Sequence, residues 1–170
     1  MQSHAKIAMN KTEKQLDRIA QLLSQQTTLS LATTGDDGQP CVAPLFYIAD
    51  ASFSLYWISS ASSQHSRNLL QRSHAAATVY CAAESWRQIR GVQIRGTVSV
   101  VTEPERRAAI TKIYCKRFNL GRILKLAVRQ SVLHVLQPEF LRYLDNSRGF
   151  KSNFELALTP QGWASARSTN

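Results

Sequence analysis

The chain has 170 residues, 44% of them hydrophobic, and 21 Lys and Arg against 11 Asp and Glu, a formal charge of +10. That length suits one compact domain with a sizeable core rather than two, and the basic balance favours anionic partners such as phosphates, nucleic acid or a membrane surface without choosing among them. Its three cysteines, Cys41, Cys81 and Cys115, are odd in number and lack C-x-x-C spacing, which argues against a disulfide framework or zinc site and for buried thiols in a reducing compartment.

The first 18 residues, MQSHAKIAMNKTEKQLDR, lack the apolar stretch of a secretory signal. No apolar run approaches the roughly 20 residues of a spanning helix. The expectation is a cytoplasmic protein that does not enter a membrane. In TEKQLDRIAQLLSQQ, Leu16, Ile19, Ala20 and Leu23 share helical spacing, and Thr12 with Gln15 forms a capping-box signal, so a helix is expected over 12–26. From Thr28 the period changes. TLSLATT, QPCVAPLFYIA and FSLYWISS, separated by the turns GDDG and ADAS, read as three sequential strands of a meander.

A helix is expected over 64–72, followed by the strands AAATVYCAA and RQIRGVQIRGTVSVV on either side of a polar ESW. In the second strand Val92, Ile94, Val98 and Val100 share one face, with Gly96 a candidate bulge. Thr102 with Glu105, and Pro104 in the first turn, start a helix that Asn119 and Gly121 end. RILKLAV has a helical pattern, SVLHVLQ, EFLRYLD and FELAL read as closing strands or edges, and the polar tail from Pro160 is expected to fray. This order lacks βαβ alternation. It fits a mainly β, α+β domain, a closed or partly closed antiparallel barrel with peripheral helices, its core over about 12–158.

The stretch ISSASSQHSRNLLQ passes from a strand through four serines into a helix start with His65 and Arg67. A strand end, serine loop and helix N-terminus aim hydroxyls and N–H groups at one point, the arrangement that binds phosphate. A hydrogen bond to a charged group contributes about 1.5–3 kcal/mol and the helix dipole only about 0.3–1 kcal/mol, so Ser59, Ser60, Gln64, His65 and Arg67 would set the affinity. The competing reading of the same residues is an ordinary serine cap with His65 and Arg67 in water.

With its flanks, this stretch resembles the pyridoxamine 5′-phosphate oxidase-like, FMN-binding split-barrel superfamily. The matching segments are LSLATTGDDGQPCVAPLFY, LYWISSASSQHSRNL and IRGVQIRGTVSVV, in order over about 15–118, and the ending FLRYLDNSRGFK is similar to a less characterised branch with a DN…GF motif. The resemblance implies a homodimeric flavoprotein whose cleft is built by both subunits. It implies that Ala43, Pro44, Leu45 and Phe46 run under the isoalloxazine ring, and that Ile58 and Ser59 meet the flavin. Gln64 and His65 take the positions of the phosphate-binding pair, and Gly91 and Val92 lie on the later strand that faces the cofactor. Ala43 and Ile48 stand where the oxidases have basic residues, His65 where they have Lys, and Gly91 where they have Gln.

Eight Lys or Arg and no acid lie between Arg106 and Pro138, and Arg122, Lys125 and Arg129 share a helical face. A solvated face is the default, and without interleaved aromatics nucleic acid is the weakest alternative. Trp57 reads as core or dimer interface, Trp86 beside Arg87 as a pocket wall, His134 as a hydrogen-bonded structural residue and His74 as surface or edge. Asp145, Asn146, Arg148 and Lys151 in DNSRGFK are ordinary turn formers or substrate contacts. The expected substrate-binding residues are Trp86, Arg148 and Lys151, for an anionic or aromatic small molecule. No two histidines have metal-pair spacing on a helix, and no catalytic acid or base stands out. The combined expectation is an FMN-dependent oxidoreductase, with a non-catalytic flavin- or haem-binding protein as the alternative. Haem would need an axial ligand from His65, His74 or His134.

Overall fold

The computed structural model describes residues 9–121, 128, 130–149 and 153–166. The RILKLAV segment and Lys151 lie largely outside them. The first helix, α1 (Lys11–Gln25), starts before the Thr12–Gln15 signal. Asn10 is the cap: its side chain accepts from the Glu13 N–H at 2.9 Å and Glu13 accepts from the Asn10 N–H at 2.7 Å. Asn outranks Thr at this position, so the box forms two residues earlier and Thr12 falls inside the helix. The buried face is Gln15, Ile19, Leu22 and Leu23, with Leu22 in place of the expected Ala20.

The expected meander is not what forms. Strand β1 (Thr28–Thr34) pairs with β2 (Pro40–Phe46) across the GDDG turn, where Gly38 has φ +79°. The apolar run then breaks at Tyr47, whose N–H donates to Thr27 and whose buried hydroxyl donates to the Leu23 carbonyl at 2.7 Å. Beyond it, β3 (Ile48–Ala49) pairs only with β4 (Leu55–Ser59). With β5 (His74–Tyr80), β6 (Arg90–Val100) and β7 (Val132–Asp145), the order is β2-β1-β5-β6-β7-β4-β3. The two edges of this sheet are consecutive in the chain and meet at Tyr47. That connection curls the antiparallel sheet into a split barrel around Leu31, Trp57, Val92, Ile94 and Leu141.

SVLHVLQ and EFLRYLD form one strand, β7, which continues through Pro138. Its first part pairs with β4 and a later part with β8 (Phe154–Thr159), while β6 lies along most of its length. A register shift at Arg95/Gly96 leaves Glu139 as an extra residue on β7, so a proline without a ladder N–H is accommodated at a bulge. A Cβ on Gly96 would stand 2.0 Å from the Gln137 carbonyl oxygen. The polar tail holds β9 (Gly162–Ser165), which pairs with β8 and sets Trp163 edge-on against Phe53, so part of it is ordered by a partner strand.

Helix α2 (Gln64–Gln71) covers one end of the barrel, and α3 (Pro104–Arg117) packs Tyr114 onto a second cluster with Tyr56, Leu133 and Val135. The α3 cap is Glu103, not Thr102, and Asn119 at φ +46° follows its end. The three cysteines are half-buried free thiols rather than buried ones. Among the described residues no helix is long and apolar enough to cross a membrane.

Two stability outcomes follow from these contacts. Gly96→Ala forces apart the β6–β7 backbones and is expected to cost about 2 kcal/mol or more, read as a lower urea midpoint. Asn10→Ala removes the α1 capping box and is expected to cost about 1 kcal/mol in the same titration.

Candidate functional site

The strand–loop–helix stretch separates its polar groups into an outer lip and an inner network. On the outside Ser60 and Ser62 share a 2.8 Å hydroxyl contact, and the Arg67 guanidinium donates to the Ser62 carbonyl and the Gln64 side chain. Ser60, Ser62, Gln64 and Arg67 are all exposed, so hydroxyls and a permanent cation lie together where an anion has access.

His65 points the other way. It is 8% exposed, and its Nε2 lies 2.9 Å from Ser59 Oγ at the end of β4 and 3.0 Å from Ser63 Oγ, the α2 cap. Ser63 also donates to Ser66 Oγ at 2.8 Å and accepts from the Ser66 N–H at 3.3 Å. Burial holds the His65 imidazole below its ordinary pKa, so it is neutral at pH 7 and its Nε2 is already engaged. The signal was present in the sequence. Positions 65 and 69 are one helical turn apart, so a core Leu69 carries His65 inward with it.

Beneath α2, Asn68 donates to Thr33 Oγ1 at 3.0 Å and accepts from Gln64 at 2.8 Å. His134, opposite Trp57 on β7, stacks on the indole with centroids 5.3 Å apart and planes 6° apart. Its pKa is pushed down to about 4, first by burial and then by the nearby His65, and the Val132 backbone opposes this. Val132 does not meet hydrogen-bond geometry, so Nδ1 is buried without a partner, as is Trp57 Nε1. His134 is therefore structural, as expected, but held by stacking rather than by a hydrogen bond. His74 is exposed at the start of β5, beside a groove of about 480 Å3 lined by Ala32, Pro40, Arg95 and Phe140.

The remaining predicted residues divide between two places. On edge strand β2, Pro44 and Phe46 face outward with Val42, which is 66% exposed, while Ala43 and Leu45 turn inward. Ile58 packs on the α3 side of β4, opposite Ser59. Gly91 and Val92 lie at the other end of β6. Gly91 pairs with Leu144, whereas the end near Ser59 is marked by Val100 pairing with His134. That separation is roughly 30 Å at about 3.3 Å per residue. Within one chain Gly91 and the serine loop do not share a site, and the Val92 side chain is wholly within the core.

Trp86 and Arg148 do come together at that far end. Their short turns join where the Asn146 amide donates to the Trp86 carbonyl at 2.8 Å and the Asn146 N–H to the Ile89 carbonyl at 3.0 Å. Arg148 stands 3.6 Å from the buried carboxylate of Asp145. A pocket of about 520 Å3 opens beside them, lined by Cys81, Gln88, Arg90, Asp145 and Ser147. There Arg90 donates to the Cys81 sulfur at 3.4 Å.

Residues 16–137 match the family model described as pyridoxamine 5′-phosphate oxidase. A UPF0306 protein of Serratia proteamaculans is 32% identical over 152 residues, covering 89% of this chain and 100% of the relative. Among solved structures, a pyridoxamine 5′-phosphate oxidase-related, FMN-binding protein of Nostoc punctiforme superposes with TM-score 0.68 at 15% identity, over 94% of this chain and 97% of that one. The heme storage protein HutZ of Vibrio cholerae superposes with TM-score 0.63 at 21% identity, over 72% and 89% of the two chains. These likenesses carry the split-barrel fold, and the family match carries the lineage: the chain belongs to the pyridoxamine 5′-phosphate oxidase family.

Proposed function

We propose that the protein binds FMN as a homodimer and uses it in redox chemistry on an anionic or aromatic small molecule. The observation that carries this reading is the lip of Ser60, Ser62 and Arg67 at the mouth of α2, which offers a phosphate two hydroxyls and a guanidinium in the open. The exposed apolar edge of β2, with Val42, Pro44 and Phe46, would receive the ring. Ser59 and His65 support the lip from behind by fixing the loop, a role different from the direct phosphate contact that the resemblance implies for His65.

A second copy is needed because Gly91, Trp86 and Arg148 stand at the far end of the sheet from this lip. In a dimer the far end of one chain would complete the cleft begun by the other, with Trp86 and Arg148 toward the substrate. Lys151 belongs to the same proposed group. Bound FMN would supply hydride acceptance and donation, while the protein orients the ring and anchors the phosphate.

Haem is the second reading, favoured by a specific placement. Among the described residues His74 is the exposed histidine beside a roomy groove, with Arg95 available to a carboxylate, whereas His65 and His134 are enclosed.

Titration of the purified protein with FMN and riboflavin, followed by flavin fluorescence, separates these readings. FMN is expected to bind at least about tenfold more tightly, a difference of about 1.4 kcal/mol, and Arg67→Ala to erase most of that preference. Equal affinity for the two flavins, or no binding of either, overturns the phosphate lip. Hemin binding with a Soret band that His74→Ala abolishes would instead establish the second reading. Sedimentation is expected to give a dimer that binds two FMN.

A further inference from the structure

We propose that α2 is an acid-released cap: when the buried His65 and His134 take up protons, the helix leaves the polar end of the barrel while the sheet stays folded.

The helix has eight residues, too few to hold itself together in water, and its buried face is His65, Ser66, Asn68 and Leu69. Only Leu69 is apolar. The cap is therefore held mainly by hydrogen bonds: His65 to Ser59 and Ser63, Asn68 to Thr33, and Arg72 at its end to the Gly35 carbonyl. Among the described residues the His65 imidazole is the side chain that joins the end of β4 to the cap of α2.

A second buried imidazole, His134, is pressed flat on Trp57 of the same strand that carries Ser59, and a charge on His65 opposes one on His134. Among the described residues the strands packed against the pair offer no carboxylate to compensate. Residues 28–34 of β1, 55–59 of β4, the serine loop, 97–100 of β6 and 132–136 of β7 contain none. Asp36 and Asp37 are exposed in the β1–β2 turn at the far end of α2, where Arg72 donates to the Gly35 carbonyl. Helix α2 contributes only Arg67, on its exposed side. On α3, Arg107 donates to the Ser131 carbonyl and Glu103 caps its own helix, while Glu139 on β7 is exposed and bonded to Thr97.

Both histidines are shifted downward when the cap is seated, His134 to about 4. The released state returns His65 to water, where a histidine has its ordinary value near 6.5, and takes the neighbouring His65 charge away from His134, so it takes up more protons. The seated state is thus favoured fully above about pH 6.5 and loses its advantage as pH falls toward about 4.

Hydrogen exchange of the protein without added ligand, corrected for intrinsic rates, tests this independently of any cofactor. The opening constant for amides 63–71 is expected to rise by about tenfold or more between pH 7.5 and pH 5, with amides of β6 and β7 unchanged. The double variant His65→Asn, His134→Phe should flatten that dependence. In the Trp86→Phe, Trp163→Phe background, Trp57 fluorescence should change over the same range. If the variants do not fold, wild-type exchange with NMR titration of the histidines decides. The proposal fails if α2 protection is independent of pH, if α2 and the sheet lose protection together, if the response persists in the double variant, or if both rings titrate with α2 still protected.

Discussion

The architecture turns on one close contact, the backbone of Gly96 against the carbonyl of Gln137. Strand β7 has to serve β4 with one part, β8 with another and β6 along most of its length, which a flat ribbon cannot do. The extra residue at Glu139 bends it, Pro138 removes an N–H that the bend would orphan, and Gly96 lets the strands stay in contact across the kink. Tyr47 then closes the curl by joining the two sheet edges and tying them to α1 through the Leu23 carbonyl. Bulge and closure together define the two ends of the barrel, one under α2 and one under the turns at 86–88 and 146–148.

Much of this was legible from local pattern. The strands and helices fall near where period and turn residues put them, because their burial alternates as the residues do: in β1 and β5 every second side chain is buried. The failures share a cause. Whether QPCVAPLFYIA is one strand or two depends on which partner strand each half finds. Tyr47 carries no local mark of the switch. SVLHVLQPEFLRYLD carries a proline that normally ends a strand, and only the glycine opposite it, 42 residues earlier, makes the continuation possible. Likewise β9 is polar enough to read as a tail and is ordered by β8 and the Phe53–Trp163 contact. Competing caps misplaced two helix starts by a residue or two, within the ordinary ambiguity of such boundaries.

The site was legible by segment but not by distance. The serine loop, α2 and the later strand were all marked, and the helical spacing to Leu69 carries the inward turn of His65, but no local pattern says that Gly91 lies at the opposite end from Ser59. The family likeness supplies order along the chain, and the sheet supplies distance. Trp86 and Arg148, 62 residues apart, are the converse case: modest turn residues that the antiparallel pairing of β6 with β7 delivers to one place.

The division between lip and network separates two jobs that a single lysine at position 65 would combine. A lysine there would be a charge to hold an anion, but it could not be buried as His65 is without a large desolvation cost. An imidazole can be buried because it has a neutral form, and as a neutral ring it ties Ser59 to Ser63 instead of reaching out. The charge then has to come from elsewhere on the same turn, and Arg67, two residues on and facing solvent, supplies the cation. The cation at the lip and the titratable scaffold beneath it are therefore different groups. A histidine at position 65 thus places the pH sensitivity of this end of the barrel in the groups that hold the loop in shape and not in the one that would meet a ligand.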